Sequence, residues 1–138
     1  KNLKNCKILS IDIKKMEKID GVDFLCCDFL KEESKEKILK RLNSKADLIV
    51  SDMAADTTGN KDLDCIRTNA LCAEVIEFSR FVIKENGTVI AKLFNGKDFI
   101  NVKNLAQNKF RKVNFFKPES SRAYSKETYI HCAGIKTL

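Results

Sequence analysis

The chain has 138 residues and a mass of 15.7 kDa, the size of one domain. Apolar types make up 43% and charged types 33%, which excludes global disorder, and five Gly with one Pro exclude collagen-like and linker-like chains. Lys and Arg outnumber Asp and Glu by 26 to 19, and the resulting charge of +7 suits a polyanion such as RNA, although a Lys-rich composition also produces it without binding.

The first part of the chain alternates apolar runs with one amphipathic segment. Residues 7–13 and 22–29 predict two strands that each close on an acid. Residues 34–43 carry apolar side chains at helical spacing, with Ser34 as the expected N-cap. Residues 46–52 contain a continuous apolar run from Leu48 to Val50, which is typical of a parallel strand covered on both faces.

A long helix is predicted from about Cys65 to Glu85, followed by a strand at 88–94. Asn86-Gly87 is the expected left-handed C-cap of that helix. Its apolar stripe consists of Leu71, Val75, Phe78 and Val82.

The last part of the chain predicts a helix over 98–110 and strands over 111–116 and 127–135. The inward side chains of this helix are Phe99, Val102, Leu105 and Ala106. Strands separated by helices imply a mostly parallel sheet with right-handed crossovers. Only the last connection lacks a helix, so the final two strands can pair antiparallel near the edge. This α/β outline resembles the Rossmann-like methyltransferases, and we expect one domain over 1–138.

Three acids close three successive predicted strands: Asp12, Asp28 and Asp52. Ligands of open α/β sheets bind outside the carboxyl ends of the strands. Carboxylates there suit a ligand with hydroxyls, an exocyclic amine and a cationic centre. Acids at strand ends are also ordinary solvated turn residues, and for a single Asp that interpretation is favoured.

Lys92 lies inside IAKLF, a strand that otherwise has the composition of a buried one. Buried lysines are rare unless they are paired or functional, and loss of hydration favours the neutral amine, which can accept a proton. The alternative is a Lys that extends into water at the strand end.

Glu127 opens the last strand, and Tyr129 and His131 follow it on the same face. Hydroxyls and a guanidinium in the preceding loop can hold phosphate oxygens, although such a loop is more often a solvated turn. The loop contains Ser120, Ser121, Arg122 and Ser125.

The six Cys show no two-residue metal-ligand spacing, and the single His offers no CxxH frame. We therefore expect reduced, buried thiols and no metal. No apolar run reaches the roughly 20 residues of a membrane span, and no secretory leader pattern is visible. These features predict a cytoplasmic protein without a membrane partner, which we expect to act as a monomer.

The strings VDFLCCDF, SDMAAD, IAKLFNGKDF and KPESSRAYSKETYI, in this order, resemble the FtsJ (RrmJ) family of S-adenosylmethionine-dependent RNA ribose 2′-O-methyltransferases. The similarity runs from Lys7 to Gly134. It implies a methyltransferase that uses S-adenosylmethionine to modify RNA, with a uridine of large-subunit ribosomal RNA as the expected target.

The resemblance also implies roles for single residues. Asp52, Lys92 and Glu127 match three members of the family's Lys-Asp-Lys-Glu catalytic set, with Lys92 as the proton acceptor. Three acids match positions that contact the cofactor in this family. Asp12 matches the contact to the ribose, Asp28 the contact to the adenine, and Asp52 the contact near the methionine part. Arg122, with Ser121 beside it, is expected near the RNA.

Two departures from the family pattern affect this interpretation. Ala55 and Asp56 replace a Pro and an Asn, so the loop after Asp52 is expected to be looser or more acidic. The family's first Lys, its central first strand and its Gly-rich cofactor loop have no match and should precede Lys1. That strand should lie between the strands at 7–13 and 46–52, so we expect this chain to be incomplete and inactive.

The leading hypothesis is therefore a large-subunit ribosomal RNA 2′-O-methyltransferase. One alternative is a non-catalytic RNA-binding module that kept the sheet and lost the cofactor loop. A second is a transfer-RNA or cap 2′-O-methyltransferase of the same superfamily.

Overall fold

Strands and helices alternate along the chain in a computed structural model that describes residues 6–121 and 125–137. The elements are β1 Ile8–Asp12, β2 Val22–Cys26, α1 Glu32–Leu42, β3 Ala46–Ser51, α2 Lys61–Val82, β4 Ile83–Phe94, α3 Phe99–Lys109, β5 Phe110–Phe116 and β6 Glu127–Ile135. They fall into two compact units, Lys1–Ser44 and Lys45–Leu138.

The first unit is a parallel β1–β2 pair followed by α1. The Lys7 ammonium donates to the carbonyls of Arg41 and Leu42 at 2.8 and 2.7 Å, which places a positive charge on the last turn of α1. Asn43 then ends the helix in the left-handed conformation. The prediction of Ser34 as N-cap was wrong, because the helix begins earlier and Ser34 is a buried residue within it.

The second unit has one four-stranded sheet in the order β3-β4-β6-β5. β3 and β4 are parallel, whereas β6 is antiparallel to both of its neighbours. The predicted antiparallel pairing of the last two strands is confirmed. β1 and β3 belong to separate sheets rather than to one continuous sheet.

The core of the second unit lies on the sheet face that carries the helices. Ala91 on β4 and Ile130 on β6 are paired across the strands, and both are fully buried. Phe115 on β5 belongs to this face, and its ring lies 4.8 Å from the ring of Phe99 on α3. The predicted inward positions Val102 and Ala106 are buried, and Phe99 and Leu105 are half-buried.

Two expectations about α2 and β3 were wrong. α2 ends at Val82 and the chain extends directly into β4, so Asn86-Gly87 lies within that strand and caps nothing. Leu48 and Val50 on β3 are 54% and 62% exposed, which shows that only the other face of this strand is covered. Sequence hydrophobicity reports what a strand can bury and does not show which element covers it.

All six cysteines are free thiols, as predicted. Cys65, Cys72 and Cys132 are buried, and burial raises the pKa of both Cys72 and Cys132 to about 12. Cys6 and Cys26 are exposed, so the expectation of burial was wrong for them. Among the described residues, no helix is long and apolar enough to cross a membrane.

Candidate active site

Four neighbouring strands bring one side chain each into a transverse row. Lys92 on β4 is paired with Tyr129 on β6, and Tyr129 is paired with Phe116 on β5. Ser51, the last residue of β3, is paired with Ala91. The next residue, Asp52, therefore lies beside Lys92 and is the fourth member of the row. Residues paired across neighbouring strands share a sheet face. This face is opposite to that of Ala91 and Ile130, which pack beneath the helices.

The Lys92 amine lies between two carboxylates. Its nitrogen is 3.2 Å from Asp52 Oδ1 and 3.6 Å from Glu127 Oε1. The side chain of Lys92 is only 13% exposed, whereas those of Asp52 and Glu127 are 67% and 41% exposed. Most of the Lys92 side chain is therefore buried, and its amine lies with its two partners at the carboxyl end of the sheet.

Tyr129 adds a fourth polar group to this cluster. Its hydroxyl donates to Asp52 Oδ1 at 2.5 Å, the same oxygen that faces the Lys92 amine. This hydrogen bond, with burial and the negative charges of Asp52 and Glu127, raises the pKa of Tyr129 to about 12. Tyr129 consequently stays protonated near neutral pH and competes with Lys92 for one carboxylate oxygen. The residue was placed on the site face by strand alternation, but its bond to Asp52 was not predicted.

Glu127 is held by the ends of the loop between β5 and β6. Its backbone N–H donates to Ser125 Oγ at 3.1 Å. The Lys117 amine donates to the carbonyls of Ser125 and Glu127 at 2.5 and 2.9 Å. These bonds fix the start of β6 and thereby the carboxylate that faces Lys92.

Two fully buried polar residues of α2, Thr68 and Asn69, form hydrogen bonds to the backbone segments that carry the site. Asn69 accepts from the Phe94 N–H at 2.8 Å and donates to the Phe94 and Lys97 carbonyls at 3.0 and 2.9 Å. Thr68 accepts from the Ala55 N–H at 3.2 Å. Asn69 therefore fixes the end of β4, just after Lys92, and Thr68 fixes the loop after Asp52, which was expected to be looser. In the sequence, two adjacent polar residues within an otherwise apolar helix are a weak signal of this role.

Replacing Asn69 with Ala should destabilise the protein by about 2–4 kcal/mol, because buried donor and acceptor groups at the end of β4 lose their partners. Urea unfolding monitored by circular dichroism measures the change. The matched control is Asn101→Ala on α3, where an exposed amide donates to Asp98 at 3.1 Å. The control should shift stability by less than about 0.5 kcal/mol. Equal effects of the two changes would contradict the bracing role of Asn69.

The Tyr129 hydroxyl should ionise only near pH 12. Because its pKa is raised above the ordinary value of 10.0, the folded protein holds this proton more tightly than the unfolded chain does. Its contribution to stability is therefore full below pH 10 and is lost as the pH rises toward 12. Tyrosinate absorbance in a Tyr124→Phe background measures the midpoint. Asp52→Asn in that background should lower the midpoint, and an unchanged midpoint would contradict the assigned cause.

Two of the other acids predicted at the site, Asp12 and Asp28, form hydrogen bonds with their own turns. Asp12 and Asp28 lie in the first unit, where one oxygen of each accepts a backbone N–H two residues on, from Lys14 and Leu30, both at 3.0 Å. They therefore form the local turns that were the alternative interpretation, with carboxylate capacity left for a ligand.

Ser121 lies in a turn after β5, where its N–H donates to the Pro118 carbonyl at 2.9 Å. Arg122 is outside the described residues. Within residues 6–121 and 125–137, no group of three or more His, Cys, Asp or Glu side chains could hold a metal ion.

Known proteins are similar to this chain in sequence and in fold. Ribosomal RNA large subunit methyltransferase E of Rickettsia akari is 45% identical over 129 residues, 94% of this chain and 57% of the relative. The protein of the same name from Pelagibacter ubique is 41% identical over 132 residues, 96% of this chain and 65% of the relative. The chain thus spans less than two thirds of the length of these relatives.

A crystal structure described as that of a ribosomal RNA methyltransferase from Plasmodium falciparum matches with a TM-score of 0.80 at 29% identity. The match covers 94% of this chain and 72% of that protein. The architecture is therefore the α/β fold of the methyltransferases. The chain also matches the FtsJ-like methyltransferase family over residues 1–135, and it belongs to that family.

Proposed function

We propose that the protein transfers a methyl group from S-adenosylmethionine to a ribose 2′-hydroxyl of RNA, most specifically a uridine of large-subunit ribosomal RNA. One observation carries the proposal: the amine of Lys92, whose side chain is only 13% exposed, faces two carboxylates at the carboxyl end of the sheet. Ligands of this fold type bind at that end. The relatives named as large-subunit ribosomal RNA methyltransferases support the choice of substrate.

The amine of Lys92 accepts the proton of the ribose 2′-hydroxyl. A ribose hydroxyl is a poor nucleophile until a base removes its proton, and a neutral amine can do so. The two carboxylates hold the amine in place, at 3.2 Å from Asp52 and 3.6 Å from Glu127. Tyr129 donates to the same Asp52 oxygen that faces Lys92, so it helps to fix that carboxylate.

Asp52 and Glu127 orient the reacting groups. An in-line displacement needs the attacking oxygen, the methyl carbon and the leaving group aligned, so positioning supplies much of the rate. Asp52 and Glu127 are partly exposed, so each can contact the substrate while it contacts Lys92. Thr68 and Asn69 act behind them as positioning residues.

The residues present fit the proposed methyl donor. Carboxylates accept hydrogen bonds from ribose hydroxyls and from the adenine amine, and they stabilise a nearby positive charge. We propose that Asp12 holds the ribose, Asp28 the adenine, and Asp52 the part near the methionine. When bound, S-adenosylmethionine supplies an electrophilic methyl group on a sulfonium.

The RNA contacts are proposed from the loop that follows β5. Arg122 would contact the RNA backbone through its guanidinium, and Ser121 would lie beside it. The net charge of +7 is consistent with a polyanionic substrate. A protein with this substrate would act in the cytoplasm, on ribosomal RNA or the large ribosomal subunit, and we propose that it acts as a monomer without a metal.

Mapping of 2′-O-methyl groups tests the proposal. Ribosomal RNA from cells that lack the gene should lose the methyl group at one nucleotide. The protein, expressed from its complete coding sequence, should restore that group with labelled S-adenosylmethionine. An unchanged ribosomal map, or a loss confined to transfer RNA or caps, would contradict the proposed substrate.

A further inference from the structure

We propose that Phe116 forms a stacking platform for a nucleobase of the RNA substrate, beside the ribose that is methylated. The inference rests on the proposed function and adds to it a residue that recognises the base. Phe116 is the last residue of β5 and is 42% exposed. It stands in the same transverse row as Lys92 and Tyr129.

The ring of Phe116 is held in place by stacking on the ring of Tyr129. Its centroid lies 5.7 Å from that of Tyr129, and the two ring planes differ by 21°. Tyr129 is in turn fixed by its hydrogen bond to Asp52 at 2.5 Å. A ring that is held by a neighbour loses little conformational freedom when a ligand stacks on it. The aromatic pair is therefore tied to the same carboxylate that contacts Lys92.

The position of Phe116 matches the reach of a nucleotide. Lys92 and Phe116 are two strands apart in the row, a separation of about 10 Å at the usual strand spacing. A ribose held at the Lys92 amine brings its own base, or the neighbouring one, toward the platform. Proteins that bind single-stranded RNA commonly stack unpaired bases on aromatic side chains in this way.

Core packing does not explain this side chain. The adjacent Phe115 points to the opposite face, where its ring contacts Phe99 of α3. Phe116 faces away from those helices and stays 42% exposed beside polar groups of the site.

The test compares three variants of the protein expressed from its complete coding sequence. Phe116→Leu removes the ring and keeps an apolar side chain, whereas Phe116→Tyr keeps the ring. Phe81→Leu is the control, since Phe81 on α2 is also exposed, at 65%. The substrate is ribosomal RNA from cells that lack the gene. RNA affinity, KM, kcat and S-adenosylmethionine affinity are measured for each.

Phe116→Leu should weaken RNA affinity and raise KM roughly 5- to 100-fold, the effect of losing one stacked base, with unchanged S-adenosylmethionine affinity. Phe116→Tyr and Phe81→Leu should behave like the wild type. Unchanged RNA affinity and KM in Phe116→Leu, with an active wild type, would overturn the platform alone. A wild-type protein that leaves RNA unmethylated would instead overturn the proposed function, and the platform with it.

Discussion

Replacing Lys92 with Ala should slow methyl transfer to RNA by about 10²- to 10⁴-fold while S-adenosylmethionine still binds. The proposed base acts on the ribose hydroxyl, and loss of a positioned general base typically costs about 10²- to 10⁴-fold in rate. The amine faces Asp52 and Glu127 at 3.2 and 3.6 Å, so its removal also leaves both carboxylates without their shared cation. Single-turnover rates with labelled S-adenosylmethionine measure the loss, and isothermal titration measures cofactor affinity.

Two further variants separate the role of the base from that of the charge. Lys92→Arg keeps a positive charge but cannot act as a base, because a guanidinium does not lose its proton in proteins. It should be as inactive as Lys92→Ala. Lys84→Ala is the matched control, since Lys84 lies on the same strand and pairs with Asp47 at 2.8 Å while half of its side chain is exposed. Near-normal activity of either Lys92 variant would contradict the proposed base.

Changing Asp52 to Asn should lower the rate of methyl transfer by about 10- to 100-fold, the cost of one charge-assisted hydrogen bond at the reacting centre. Asp52 contacts both the Lys92 amine and the Tyr129 hydroxyl through one oxygen. The amide cannot supply the negative charge that holds the lysine. Because the Asp52 side chain is 67% exposed, we expect little change in the free energy of unfolding.

The matched control for Asp52→Asn is Asp47→Asn. Asp47 also belongs to the β3 region, forms an ion pair with a lysine of β4 and is 83% exposed. Its variant should keep the wild-type rate. Equal losses in the two variants would show that the strand, rather than the carboxylate at its end, accounts for the effect.

The sequence predicted the alternation of elements well, because each strand and helix carries its own hydrophobic period. β6 matches the predicted range, and α3 differs by one residue at each end. The end of α2 was missed because Asn86-Gly87 has the composition of a helix cap. In the structure, the chain pairs with β3 before it reaches that dipeptide.

The acids and the lysine of the site could be predicted from local sequence patterns. The lysine lies within an apolar strand, and the acids lie at strand ends. Their mutual distances depend on strand register, which no local pattern contains. Asn69 was missed because a buried amide in a helix looks the same in sequence as an exposed one. The stack of Phe116 on Tyr129 was missed because two aromatic residues far apart in sequence reveal no pairing.

Rescue of Lys92→Ala by methylamine tests the proposed base most directly. Methyl transfer should recover as the pH is raised at a fixed total amine concentration, in proportion to the neutral amine, because only that form accepts a proton. Tetramethylammonium, which has a charge but no free lone pair, should restore nothing. Recovery that follows the charged amine, or equal recovery with tetramethylammonium, would contradict the role of Lys92 as proton acceptor.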